Sequence, residues 1–323
     1  MDTERGAGRW TVAAVVKERA EVLRRFIAWH VEMGAAEVAL YFDDPADPNI
    51  AWASEVPNVR VLCCTPEFWL SRGVPADASF NKRQIQAIQH AYETCATPWL
   101  LLADGDELIH REDGGIEEFL AAQPAEVRSI LVEPVERVIV PGARRRLHFR
   151  RKLRPRQLSK QRDGALLGAT LRRGGLTGHT TGKSFLRTGI EGVMLRQHFM
   201  QQDWATPVID LKVGPEEGMA LLHMIGTDYD DWRAKLPHRL ISGSIRGPLK
   251  SLIEARMTDE GEAALPGIFA ALFELDARTA LRMRRRGQML VLPNSVGAVV
   301  RKHFGRDRSR AAAARRTDRA RAA

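Results

Sequence analysis

Between Trp10 and Ala103, short apolar runs alternate with stretches of helical period, and this alternation restricts the fold more than any other feature of the chain. Trp10 to Val16 reads as a strand. Glu18 to Met33 carries Val22, Leu23, Phe26, Ile27, His30 and Met33 on one helical stripe, and Gly34 closes it. A second strand, Glu37 to Phe42, runs into Asp43-Asp44-Pro45-Ala46-Asp47-Pro48, whose prolines and acids demand a loop. Val59 to Cys63 is a third strand. Ser79 to Cys95 repeats Ile85, Ile88, Ala91 and Tyr92 at helical spacing before the apolar run Pro98 to Ala103. Strands alternating with helices predict an α/β architecture, a Rossmann-type, mainly parallel sheet flanked by helices.

In such sheets ligands bind outside the carboxyl ends of the strands. Three acidic groups fall at those ends: Lys17-Glu18, Asp43-Asp44, and Asp104-Gly105-Asp106-Glu107. The last is the most demanding, because clustered carboxylates at the mouth of a buried strand repel one another and resist desolvation. A divalent cation relieves both costs, and carboxylates one residue apart across a glycine suit Mg²⁺ or Mn²⁺. An ordinary acidic surface turn is the competing explanation.

At 323 residues the chain has ample material for a core, and its 44% hydrophobic and 28% charged content fits a globular protein. No apolar stretch approaches the roughly 20 residues of a membrane span, and Met1 to Arg9 lacks the apolar core of a secretory signal. The expected location is therefore the cytoplasm. Cys63, Cys64 and Cys95 show neither disulfide nor zinc spacing and are expected to be buried and reduced.

The net charge of +9 is unevenly spread. Arg137 to Arg173 holds 13 Lys/Arg against one acid, and Ala277 to Ala323 holds 14 against two. Two basic blocks thus sit on an acidic body, and they can attract nucleic acid, phosphorylated substrates or an anionic membrane surface at its inner face. Nucleic acid is the weakest of these partners, since no recognisable binding motif accompanies the charge.

The residues also carry a family resemblance. Val15-Val16-Lys17-Glu18, a helix containing Trp29-His30 and ending at Gly34, Tyr41-Phe42-Asp43-Asp44, and Trp99 to Glu107 together resemble family 2-like glycosyltransferases of the GT-A fold. The nearest branch opens on Lys-Asn-Glu and has an Asp-x-Asp-Glu metal motif; this chain lacks the asparagine. The likeness covers roughly residues 10 to 110 and fades afterwards. It implies a nucleotide-sugar donor, a saccharide or other hydroxyl acceptor, a Mn²⁺ or Mg²⁺ cofactor and inversion at the sugar.

The resemblance also implies roles. Glu18 and Asp43 or Asp44 would face the nucleotide, although a glutamate at position 18 equally suits the first turn of a helix. Asp106 would bind the metal directly, with Asp104 reaching it through water or holding the ribose. Arg83, beside Lys82 and Gln84 near a helix start, would help hold the anionic donor, or be merely solvated. Lys183, in Gly178-His179-Thr180-Thr181-Gly182-Lys183-Ser184, would neutralise donor phosphates; the stretch is not a P-loop, because the required first glycine is Thr177. His223, inside Leu221-Leu222-His223-Met224, would return to the metal or diphosphate, or else be a hydrogen-bonded core residue. Asp203 lies where the family places its catalytic base, with Asp228, Asp230 and Asp231 competing.

The expected layout is a transferase domain over residues 1 to 240, nucleotide-binding from about 10 to 110 and acceptor-side from about 111 to 240. Beyond it come a helical extension over 241 to 304 and a basic tail over 305 to 323, and the C-terminal half as a whole is expected to have a more irregular α+β character. Two other classes fit the same residues: another metal-dependent nucleotidyl- or phosphotransferase, and a noncatalytic binder of anionic polymers or membrane surfaces.

Overall fold

A computed structural model of the protein describes residues 6–75, 77–153, 168–170, 173–203 and 206–305. The tail expected beyond Gly305 lies almost wholly outside the described residues. The first hundred residues fold as their periodicity demands: β1 (Trp10–Val16), α1 (Ala20–Glu32), β2 (Glu37–Phe42), α2 (Asn49–Ala53), β3 (Val59–Cys63), α3 (Pro66–Ser71), α4 (Phe80–Glu93) and β4 (Trp99–Leu102). There follow β5 (Glu107–Arg111), α5 (Ile116–Ala121), β6 (Ser129–Val132), β7 (Pro134–Val138), β8 (Arg146–Arg151) and β9 (Lys183–Arg187). Short strands come next: β10 (Met194–Leu195), β11 (Met200–Gln201), β12 (Pro207–Val208), β13 (Leu211–Val213) and β14 (Met219–His223). The chain ends in α6 (Tyr229–Ile241), α7 (Pro248–Glu260), α8 (Leu265–Phe273), α9 (Ala277–Arg285), β15 (Met289–Pro293) and α10 (Val296–Phe304).

A seven-stranded sheet runs in the order β13-β6-β9-β4-β1-β2-β3. Its strands are parallel except β9, which runs against both β4 and β6. The expected mainly parallel sheet is therefore present, and the carboxyl ends of β1, β2 and β4 open on one edge. Alternate residues of these strands feed two cores: Val12, Ala14 and Val16 face α1 with Leu23, Phe26 and Ile27, while Ala13 and Val15 face α4 with Ala87, Ile88 and Ala91. Burial on both faces explains why these strands read as unbroken apolar runs.

A second sheet, β15-β8-β7-β14-β5, stands beside the first. Here the expected helical extension over 241 to 304 needs correction. β15 pairs antiparallel with β8 across Met289 to Pro293, and α10 packs on α1, so the C-terminal stretch is sewn into the main body. The cysteines are free, but only Cys64 is fully buried. Among the described residues no helix is long and apolar enough to cross a membrane.

His30 shows how α1 is fixed between the two sheets. Its Nδ1 lies 2.8 Å from the Phe26 carbonyl, and the N–H of Ile109 in β5 donates to Nε2 at 3.3 Å. Those two partners require one proton on the ring, carried on Nδ1. Burial accordingly pulls His30 from 6.5 down to about 4. Between those values the unfolded chain binds a proton here that the native chain refuses. Stability is therefore complete above a pH of about 6.5 and declines as pH falls towards 4, by up to about 3 kcal/mol from this residue. Urea unfolding across that window should show His30→Gln losing one proton from the pH slope; an unchanged slope would refute the assignment.

Candidate active site

The acidic turn is the hinge between the two sheets. β4 ends at Leu102, and Glu107 opens β5 after Asp104-Gly105-Asp106. The turn closes on itself: the Glu107 N–H donates to the Asp104 carbonyl at 2.9 Å, and the Asp104 N–H donates to Glu107 Oε2 at 2.8 Å. Met224, just past β14, donates its N–H to the Asp106 carbonyl at 2.8 Å. Gly105 is small for a spatial reason, because a Cβ there would stand 2.8 Å from Glu18 Cγ. Glu18, at the end of β1, thus lies directly against the turn.

Asp106 is almost fully buried, 7% exposed, yet three basic groups converge on it. Arg239 Nη2 lies 3.2 Å from Oδ2, Lys235 Nζ 3.8 Å from the same oxygen, and His223 Nε2 3.7 Å from Oδ1. Burial favours the neutral acid, but Lys235, then His223 and Arg239, outweigh it and hold the carboxyl well below the usual carboxylate range. Lys235 and Arg239 sit four residues apart and so share a face of α6, whose N-terminus is capped by Asp228 accepting the Asp231 N–H at 2.9 Å. Lys235 also meets Glu18 at 2.7 Å and Asp231 at 3.3 Å. Burial, opposed by Lys235, pushes the Glu18 carboxyl up to about 7.

On the other side of the turn Glu107 is wholly buried. His179 Nε2 is hydrogen-bonded to its Oε1, and Lys183 Nζ lies 3.7 Å from Oε2. Lys183 also pairs with Asp104 Oδ2 at 3.0 Å and donates to the Gln197 carbonyl at 3.1 Å. Gln84, on α4, donates to Asp104 Oδ1 at 3.1 Å. Both Asp104 oxygens therefore have partners from the chain itself. Lys183, expected to neutralise donor phosphates, is 2% exposed and has its ammonium between Asp104 and Glu107.

The remaining expected residues separate. Asp43 takes a bidentate pair from Arg83, with Nε and Nη2 each 2.7 Å from a carboxylate oxygen, so Arg83 is joined to Asp43 at the neighbouring strand end. Asp44 is exposed and accepts the Ala46 N–H at 2.9 Å, stabilising its own loop. Asp203 is exposed after β11 and accepts the Thr206 N–H at 2.6 Å. Of the rivals to Asp203, Asp228 caps α6, while Asp231 reaches both Lys235 and Arg19. Sequence reasoning missed Lys235, Arg239 and Gln84 as site residues, and gave His179 no role. Only the basic pair at four-residue spacing after a cap signal could have drawn attention to α6.

Whether the site suits a divalent ion is decided by His223. The residue is buried and its ring stacks on His179, with ring centroids 5.2 Å apart. Its Nε2 is too far from Asp106 for a hydrogen bond, but two ligands each about 2.1 Å from one ion stand roughly 3 to 4 Å apart. Asp106 Oδ1 and His223 Nε2 meet that condition. Glu107, His179 and His223 also place ligand atoms within 4.8 Å of one another. In that trio, however, the Gly182 N–H donates to His179 Nδ1 at 3.3 Å, which leaves the ring proton on Nε2, facing Glu107. Asp106 and His223 are thus the fitting pair. Gly178 backs them, since a Cβ there would come within 2.5 Å of His223 Cε1.

No family model matches the chain, and no curated protein matches it. Among solved structures it is similar to the mannosyltransferase PcManGT from Pyrobaculum calidifontis in complex with GDP-Man and Mn²⁺. The identity is 12%, the alignment covers 86% of this chain and 79% of that one, and the TM-score is 0.34, a likeness too weak to carry an argument about fold or activity.

Proposed function

We propose that this protein is a metal-dependent glycosyltransferase that moves a sugar from a nucleotide-sugar donor to an acceptor hydroxyl, with inversion. The observation that carries this reading is the convergence of Glu18, Asp106 and His223, whose Nε2 lies 3.7 Å from Asp106 Oδ1, at the strand-end edge where an α/β sheet binds nucleotides, with Asp43 at the adjacent strand end. The motif resemblance over residues 10 to 110 supports it independently of the geometry.

Asp106 and His223 would hold the cation, which when bound stabilises negative charge on the departing nucleoside diphosphate. Asp43, oriented by Arg83, and Glu18 supply acceptor oxygens for ribose hydroxyls and base N–H groups. Asp104, held by Gln84 and Lys183, fixes the turn that presents Asp106. Arg239 and Lys235 concentrate positive charge beside the same carboxylate, where it attracts a diphosphate. Asp203 is the carboxylate assigned to take the acceptor proton, and it must release the Thr206 N–H to do so.

A thermal-shift screen of UDP-, GDP- and CMP-sugars, each with and without Mn²⁺, tests the reading. A donor at about 100 times its Kd should stabilise the native state by about 2.7 kcal/mol, and only with the metal present. The stabilising donor should then release its nucleotide, the nucleoside diphosphate from a UDP- or GDP-sugar or CMP from a CMP-sugar, when an acceptor is supplied. No shift with any donor would reject the reading, and release of sugar 1-phosphate from a UDP- or GDP-sugar would show a nucleotidyltransferase instead.

A further inference from the structure

Asp231, whose carboxylate meets Lys235 of the acidic site, also lines a separate cavity of about 900 Å³. Its walls come from the start of α1, from α2 and the turn after it, from the segment between β14 and α6, and from α10. Its apolar lining is formed by Trp52, Met224, Val296, Val300 and Phe304, and its basic and hydroxyl lining by Arg19, Arg24, Arg25, Thr227 and Arg301. Four acids line it as well, Glu21, Glu55, Asp228 and Asp231; of these, Asp228 and Asp231 each face Arg19 at 3.5 Å, and Asp231 is further engaged by Lys235.

Arg25 is drawn by the charges of Asp106, Asp231, Glu18 and Asp228, but its Nε is shielded from water and makes no hydrogen bond. Thr227 Oγ1, on the facing segment, is likewise buried without a partner. Burial pulls Arg25 below its ordinary value against the more distant charges of Asp106 and Asp231. A shielded guanidinium Nε and a shielded hydroxyl that the fold leaves unbonded are each costly, and both residues line one cavity.

We infer that this cavity binds a ligand with an oxyanion head and an apolar body. Arg25 and Thr227 donate to the head, a phosphate or carboxylate, and the Trp52 to Phe304 wall covers the body. The Arg24 guanidinium, 5.2 Å over the Trp52 ring, adds positive charge at the same wall. Neither Asp106 nor His223 lines the cavity, so its ligand can be sought without donor or metal.

Isothermal titration calorimetry of the full chain with octyl phosphate, octanoate, octanol and inorganic phosphate tests this. Octyl phosphate or octanoate should bind, whichever head is preferred naming the oxyanion, and octanol should bind at least about ten-fold more weakly. Arg25→Gln should weaken the favoured ligand about ten-fold or more and Thr227→Val by a smaller factor, with melting temperatures checking that each variant folds. A crystal structure with octyl phosphate, which needs no variant, should place the head group on Arg25. Equal binding of octanol, unchanged affinity in both folded variants, or a head group elsewhere would overturn the inference. Because neither Mn²⁺ nor a nucleotide sugar is present, its failure is distinct from failure of the transferase reading.

Discussion

Asp106→Asn is expected to lower Mn²⁺-dependent sugar transfer by about 10²- to 10³-fold or more, the scale on which a group stabilising transition-state charge acts, while leaving the chain folded. The fold should survive because the Asp106 backbone carbonyl still accepts the Met224 N–H, and Lys235 keeps Glu18 and Asp231 as partners. Asn keeps the volume but removes the charge that Arg239, Lys235 and an ion share. The Mn²⁺-dependent part of the thermal shift should vanish with the activity. His223→Gln should weaken the metal response in the same direction, since it removes the second ligand and puts an amide in its place. Full transfer activity in Asp106→Asn at ordinary Mn²⁺ concentrations would disprove the mechanism.

Lys183→Met is expected to act on a different quantity, stability. The ammonium is enclosed, and its removal leaves the wholly buried Glu107 and its neighbour Asp104 without their main counter-charge. Breaking a buried pair from one side costs about 3 to 5 kcal/mol, because the remaining charge stays desolvated. Those two acids also support Lys183, keeping its ammonium charged against the opposing effect of burial. Urea denaturation should therefore show a large loss in midpoint with an unchanged slope, and adding Glu107→Gln should restore part of it. A lysine that served only to face donor phosphates would leave the midpoint alone and raise KM, and that outcome would show that Lys183 does not brace the acidic turn.

The two variants separate what was legible from what was not. Asp104 and Asp106 were readable because an apolar strand and a glycine turn are local patterns, set within a few residues. The alternation of Trp10 to Leu102 likewise announced parallel strands, and with them the shared edge where Glu18, Asp43 and Asp106 stand. Lys183 was visible as a residue beside a glycine-rich stretch, but its direction was not. That depends on β9 running antiparallel between β4 and β6, a pairing across about eighty residues that no local period encodes. Lys235 and Arg239 were missed for the same reason, since Arg239 reaches Asp106 across 133 positions.

The sequence by itself determined the layering of the nucleotide-side half and the edge on which its acids collect, because strand and helix periods follow from which side chains must leave water. Tertiary structure alone decided how each charge is matched. It drew Lys183 inward to Asp104 and Glu107, joined Arg83 to Asp43, and left Arg25 Nε and Thr227 Oγ1 shielded without hydrogen bonds. The physical reason is that hydrophobic patterning repeats along the chain, whereas ion pairing is settled only where distant segments meet in a medium too dry to leave a charge alone.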